Sequence, residues 1–240
     1  MDWDAFFTVH KDLPREGPGT QDDVDWACGL ADLAPDAVIC DAGAGPGGDV
    51  SALLAHVPRG RVVAVEKVPG FVRQGQTRFA DTPRVSFEEG DMAALADHAQ
   101  APFDLIWCAG ALYFLGLEAG IAAMAKALKA GGVLAFSEPC FFVDSPSPAA
   151  RAFWDGYPAQ TPETLSKMLQ DAGFAVLGQR ALPDDSWEAY FRPMERRIAE
   201  LRTTQSERLE PMLEACAAEA DAWRAVRRET GYLLSVARLG

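Results

Sequence analysis

Short apolar runs bounded by turn residues alternate along the chain with longer stretches of helical periodicity. Val38-Ile39-Cys40 follows Pro35 and Asp36 and closes on glycines, the pattern of a buried strand in a parallel sheet. Beyond the glycines, Val50, Leu53, Leu54 and Val57 fall at helical spacing, so the stretch predicts strand, glycine loop and helix. Residues 61–65 predict a second strand ending on Glu66, and 71–79 the next helix. Residues 85–88 and 103–108 predict the third and fourth strands. Ile121, Met124, Ala125 and Leu128 form one helical face, for which Gly131-Gly132 is the expected C-terminal cap. Residues 133–136 predict a fifth strand with Ser137 and Glu138 at its edge. Thr161, Pro162, Leu165, Met168, Leu169 and Gly173 spell a capped, terminated helix, and residues 174–177 a sixth strand. Residues 232–237 predict a seventh. Before it, Tyr190, Met194, Ile198 and Leu201 make one apolar face, and Leu209, Met212, Leu213, Cys216, Ala220 and Trp223 another, giving a helical hairpin. Residues 22–33 predict a helix leading into the first strand. The alternation defines an α/β, doubly wound, mostly parallel seven-stranded sheet with a helical insertion before its last strand.

Composition sets the scale. A chain of 240 residues, 49% hydrophobic, can bury one large core as a single domain. Its expected parts are 1–34, an N-terminal lid and helix; 35–180, the binding core; 181–230, the hairpin; and 231–240, the final strand. The net charge of −13 disfavours nucleic acid and anionic membranes as partners. The five cysteines (Cys28, Cys40, Cys108, Cys140, Cys216) lack metal or disulfide spacing and read as free thiols in a reducing compartment. The acidic start Met-Asp-Trp-Asp reads as no signal peptide, and no apolar run spans a bilayer, so a cytoplasmic location is expected. There is no internal repeat.

The candidate chemistry gathers on the glycine loop. Gly43, Gly45 and Gly47, with Ala44 between, leave backbone bare where a ligand can approach its N–H groups; the alternative is a plain tight turn. Gly43, Gly45 and Gly48 also satisfy G-x-G-x-x-G, a weak dinucleotide signal. Asp41 at the strand end and Asp49 at the helix start oppose a pyrophosphate, which needs N–H groups and positive dipole there. A zwitterion with cationic groups, such as S-adenosylmethionine, suits two carboxylates better. Glu66, with Lys67 beside it, stands about 20 residues beyond the loop, where an acid holds a ribose diol. Asp91, after Gly90, can accept from an adenine amino group or cap the following helix, and Met92 can pack on the base. Cys108 either touches the ligand or packs as a small hydrophobe. Ahead of the sheet, Trp3, Phe6, Phe7 and Val9 form either core or a lid, with Arg15 or the Gly17 to Gly19 backbone reaching a ligand carboxylate.

Taken in order, these motifs resemble the class I S-adenosylmethionine-dependent methyltransferases, in particular the small-molecule branch of ubiquinone/menaquinone-biosynthesis-type enzymes (methyltransferase type 11). The resemblance covers residues 36–180 and the last strand, through the glycine loop, Glu66, Gly90-Asp91-Met92, Phe103-Asp104-Leu105-Ile106 and Leu128-Lys129-Ala130-Gly131-Gly132-Val133-Leu134. Leu13-Pro14-Arg15-Glu16-Gly17-Pro18-Gly19 resembles a segment of the same branch. It implies a last strand antiparallel between the fifth and sixth, Asp41, Gly43 and Gly45 at the methionine end, Glu66 on the ribose, and Asp91 with Met92 on the adenine. The hairpin and the segment after the fifth strand then start on the ligand side, so Trp154, Tyr157, Trp187 and Tyr190 are expected to wall a substrate pocket. Cys108-Ala109-Gly110-Ala111 departs from the Asn- or Asp-Pro-Pro-aromatic motif of nucleic-acid amino-methyltransferases, and no catechol-type metal site stands out. Methyl transfer needs alignment and exclusion of water more than a base. His10, Tyr113, Glu138 and Asp144 are base candidates that read equally as structural or solvated residues, while His56 and His98 read as surface. The implied activity is methylation of a small, partly apolar metabolite, with a homodimer left open. The alternatives are an NAD-dependent oxidoreductase and a non-catalytic S-adenosylmethionine-binding protein.

Overall fold

β-Branched and aliphatic runs supply the strands: β1 (Val38–Ala42), β2 (Arg61–Glu66), β3 (Val85–Glu89), β4 (Phe103–Ala109), β5 (Leu128–Phe141), β6 (Phe174–Ala181) and β7 (Thr230–Leu239). The computed structural model describes residues 2–203 and 207–240; the side chain of Trp3, assigned above to the N-terminal aromatic group, lies outside the described residues. The seven strands form one sheet in the order β3-β2-β1-β4-β5-β7-β6. Pairs β1–β2, β1–β4, β2–β3 and β4–β5 are parallel, while β7 runs antiparallel to both β5 and β6. Ile39, Cys40, Val62, Val63 and Ala64 are fully buried, as central strands covered on both faces require.

Helices cover both faces, which gives two apolar cores. One core packs α2 (Gln21–Ala31) and α3 (Val50–Ala55) on the sheet; the other packs α5 (Leu117–Ala127) and α7 (Pro162–Asp171). Helices α1 (Trp3–His10), α4 (Pro69–Arg78), α6 (Pro148–Phe153), α8 (Asp184–Arg202) and α9 (Glu210–Val226) complete the set among the described residues. Helix α8 packs on α9 as the expected hairpin, and α1 contacts both. No helix is long and apolar enough to cross a membrane among the described residues.

Two boundaries differ from expectation. Helix α5 stops at Ala127, because Leu128 is already extended (φ −92°, ψ 149°) and pairs with Phe103. Gly131 (φ +74°) therefore turns the chain within the start of β5 instead of capping the helix, and a Cβ on Gly132 would sit 2.9 Å from the Lys129 carbonyl. Strand β5 also runs on to Phe141, since β7 pairs with it from Val133 to Phe141. Ser137 and Glu138 are thus interior residues of the sheet, not its edge. Beyond β5 the chain loops through α6 and returns to the sheet, where the Gln160 carbonyl accepts from Phe141 N–H at 2.8 Å.

Candidate active site

The loop from β1 to α3 needs its glycines: Gly43, Gly45 and Gly47 have φ of +72°, +53° and +84°. A Cβ on Gly43 would lie 2.7 Å from the Ala111 Cβ, so the small residue lets the turn after β4 close against the loop. The expected bare amides are not bare. Gly43 and Ala44 N–H donate to the Val65 carbonyl at 2.9 and 3.2 Å, and Gly47 N–H to that of Ala44 at 2.9 Å. Gly45 N–H donates to Glu66 Oε2 at 2.8 Å. The loop is fastened to β2 and offers a phosphate little to bind.

The acids around the loop have distinct surroundings. Asp49 accepts from the Arg15 guanidinium at 3.0 Å through both oxygens and from Trp107 Nε1 at 3.0 Å. The rest of Arg15 is engaged by carbonyls, with Nε donating to Gly17 at 2.6 Å and Nη1 to Gly19. Arg15 thus staples the N-terminal segment onto the loop while bordering the cavity. Pro14 and Arg15 lie directly over Gly48, where a Cβ would approach each at 2.9 Å. Glu66 Oε1 accepts from Val68 N–H at 2.7 Å. Asp91 caps the 3-10 turn Met92–Asp97 by accepting from Ala93 N–H at 2.9 Å, and pairs with Lys67 at 2.8 Å. Asp41 is different: its buried side chain makes no hydrogen bond or ion pair among the described residues. Burial, then the charges of Asp49 and Glu66, push its carboxyl well above the usual 3.8.

These residues border one cavity of about 670 Å³ at the carboxyl ends of the parallel strands. Asp41, Gly43, Ala44, Gly45, Glu66, Lys67, Gly90, Asp91, Met92 and Arg15 line one part of it. Trp154, Trp187 and Tyr190 line another, with His10 and Tyr113. Phe6 and Phe7, expected as either core or lid, border the same space with Gly17 and Pro18.

Four expected residues do not reach it. Cys108 alternates with Trp107 along β4 and points to the opposite face, packed with Cys40 and Ala42 at 0% exposure. Tyr157 is separated from Trp154 by two left-handed residues, Asp155 (φ +47°) and Gly156 (φ +81°), and its hydroxyl donates to Glu138 Oε1. Glu138 itself is sealed inside β5, where burial raises its carboxyl to about 7. Asp144 is exposed and outside the cavity. His56 and His98 bond Asp25 and Glu88 away from it.

Sequence reasoning missed Glu219, Tyr232 and, as an individual residue, Glu16, all on the cavity wall. Glu219 had a signal. It stands three residues after Cys216 and four before Trp223, a carboxylate beside the buried stripe of α9. Tyr232 was hidden in an apolar strand; it borders the cavity together with Tyr113 of the 3-10 turn that follows β4.

Residues 39–132 match the family model described as a methyltransferase domain. No curated protein matches the sequence significantly. Among solved structures, the chain is similar to the S-adenosylmethionine-dependent methyltransferase from Thiobacillus denitrificans in complex with S-adenosyl-L-homocysteine, at 16% identity and TM-score 0.81 over 98% of each chain. It is equally similar to that from Geobacter sulfurreducens, also in complex with S-adenosyl-L-homocysteine, at 18% identity and TM-score 0.82 over 98% of this chain and 97% of that one. The [4+2]-cyclase SpnF matches at 18% identity and TM-score 0.75 over 99% and 92%. At such identities the likenesses show the fold, and the domain match bears the chemistry. Residues 39–132 thus match a methyltransferase domain, on a fold that the chain shares with S-adenosylmethionine-dependent methyltransferases. The oxidoreductase reading of G-x-G-x-x-G is set aside by that match.

Proposed function

We propose that the chain transfers the methyl group of S-adenosylmethionine to a small, partly apolar molecule held between the sheet and the roof of α1, α8 and α9. One observation carries this: the glycine-loop part and the aromatic part belong to a single cavity. The fit to the cofactor rests on Asp41, a buried, unpaired carboxyl facing that cavity, which an ammonium group would satisfy. Glu66 keeps lone pairs beyond its two backbone donors for a ribose diol. Asp91, with Gly90 and Met92, borders the place for the adenine. When bound, the cofactor supplies an activated methyl group on sulfur. The residues around it then align the acceptor and keep water out, with the lid over Gly48 and aromatic rings over the acceptor.

Thermal unfolding with S-adenosylhomocysteine and with NAD tests the reading. At about 100 times its dissociation constant, the homocysteine product stabilises the fold by about 2.7 kcal/mol, and NAD gives no shift. Incubation of a cell extract with methyl-labelled cofactor places label in the small-molecule fraction. A shift with NAD alone, or label confined to protein or RNA, overturns the reading.

A further inference from the structure

The charges on the cavity wall do not balance. Six carboxylates line it (Glu16, Asp41, Asp49, Glu66, Asp91 and Glu219) against two side chains that are always cationic, Arg15 and Lys67. Arg15 is paired with Asp49 and Lys67 with Asp91. Asp41 and Glu66 sit at the glycine loop. Two carboxylates remain: Glu16 on the lid, whose Cγ lies 3.4 Å from where a Cβ on Gly45 would stand, and Glu219 on α9.

Glu16 bonds His10 Nδ1 through Oε2 at 2.6 Å, while its Oε1 is buried with no partner. Glu219 makes no hydrogen bond or ion pair among the described residues. Its carboxyl opens to the cavity but has protein on its other sides, and that enclosure raises its pKa, opposed by nearby His10. Tyr190 joins them. It is only 7% exposed, borders the cavity, and its hydroxyl has no hydrogen-bond partner among the described residues. Burial, and next the charges of Glu219 and Glu16, push that hydroxyl up. The surrounding wall is aromatic, with Phe6, Phe153, Trp154, Trp187 and Tyr232.

We infer that the part of the cavity walled by Glu16, Tyr190 and Glu219 receives an organic cation, a protonated amine or quaternary ammonium group carried on an apolar body. The inference rests on the reading above that the cofactor takes the glycine-loop end. An anion here would meet two carboxylates. A neutral group would cover them without supplying a counter-charge, at a desolvation cost that a cation offsets. His10 can neutralise one carboxylate at most. Aromatic faces add attraction for a cation and cover the apolar body.

The experiment is calorimetric titration of the full chain with three probes sharing one ring and chain: phenethylamine, 2-phenylethanol and 3-phenylpropionate. S-Adenosylhomocysteine affinity is measured first, and the probes are added to the saturated protein. The amine is expected to bind at least about tenfold tighter than the alcohol or the acid. Glu219→Gln removes most of that preference, and Tyr190→Phe a smaller part, with homocysteine-product affinity and melting temperature unchanged. Equal or tighter binding of the alcohol or the acid overturns the inference, as does the absence of binding by all three, or a preference that survives Glu219→Gln. If that variant is unstable, the wild-type ranking of the three probes decides alone. Failure to bind S-adenosylhomocysteine sinks the cofactor reading instead, so the two failures are told apart.

Discussion

Glu66 acts on the protein before it acts on any ligand. Its two oxygens accept from Gly45 and Val68 N–H, so one carboxylate ties the glycine loop to the end of β2. Glu66→Ala leaves the buried Gly45 N–H and the half-buried Val68 N–H without their acceptor and is expected to lower the stability of the ligand-free fold by about 1–3 kcal/mol. The same change weakens S-adenosylhomocysteine binding by roughly 1.5–3 kcal/mol. Chemical denaturation and calorimetry read the two losses separately, and an unchanged ligand-free stability would show that the loop does not depend on this tie. Asp41 is the complementary case. Because its carboxyl is raised in the fold, the ligand-free protein keeps a proton that the unfolded chain releases above about 3.8. Its effect is a loss of stability as pH rises from 3.8 through the folded pKa, and Asp41→Asn should abolish that loss. A bound ammonium favours the charged form, so cofactor affinity rises with pH across the same window in the native protein and flattens in Asp41→Asn. An identical pH profile in both would exclude Asp41 from the ammonium site. The types and spacing of Asp41 and Glu66 were legible in the sequence. Their partners were not, because Arg15 and Asp49 are distant in the chain and meet only once the lid has folded over Gly48.

At the scale of elements, the roof is also core. Trp187 of α8 is 2% exposed and stacks on Trp223 of α9 at 4.9 Å and on Tyr232 of β7 at 5.2 Å while bordering the cavity. Trp187→Ala is expected to cost about 3–5 kcal/mol of stability, measured by denaturant unfolding; a loss under about 1 kcal/mol would show the stack to be mere lining. The strands and both hairpin helices were readable from periodicity, since their apolar stripes face a core whatever the partner. Periodicity says less where an apolar residue closes one element and opens the next. Leu128 completes the α5 stripe and yet begins β5, and Tyr157 follows Trp154 at helical spacing but is turned to Glu138 by two left-handed residues.

Over the whole molecule, the strand order agrees with the one that the family resemblance implied, including the inserted antiparallel strand. The contents of the cavity were less legible, because Glu16, Glu219 and Tyr232 come from the lid, α9 and β7 and share no local motif. Net charge acts at this scale as well. With −13 on 240 residues, tRNA and duplex DNA are expected not to bind at physiological salt in a gel-shift assay. Retarded RNA whose binding falls steeply with added salt would contradict that.

Strand β7 follows the other six strands in the chain, yet it lies inside the sheet between β5 and β6. A ribosome therefore delivers a middle plank after the planks on either side. Until it emerges, Val133 to Phe141 of β5 show an open edge, and β6 has no neighbour at all. Nascent chains arrested at residue 229 are thus expected to be protease-sensitive and prone to cling to one another, and chains with residue 240 clear of the exit tunnel resistant. Tyr232 arrives on that same strand, so the pocket is walled only as the sheet is closed, and a chain too short to fold is also too short to hold its substrate.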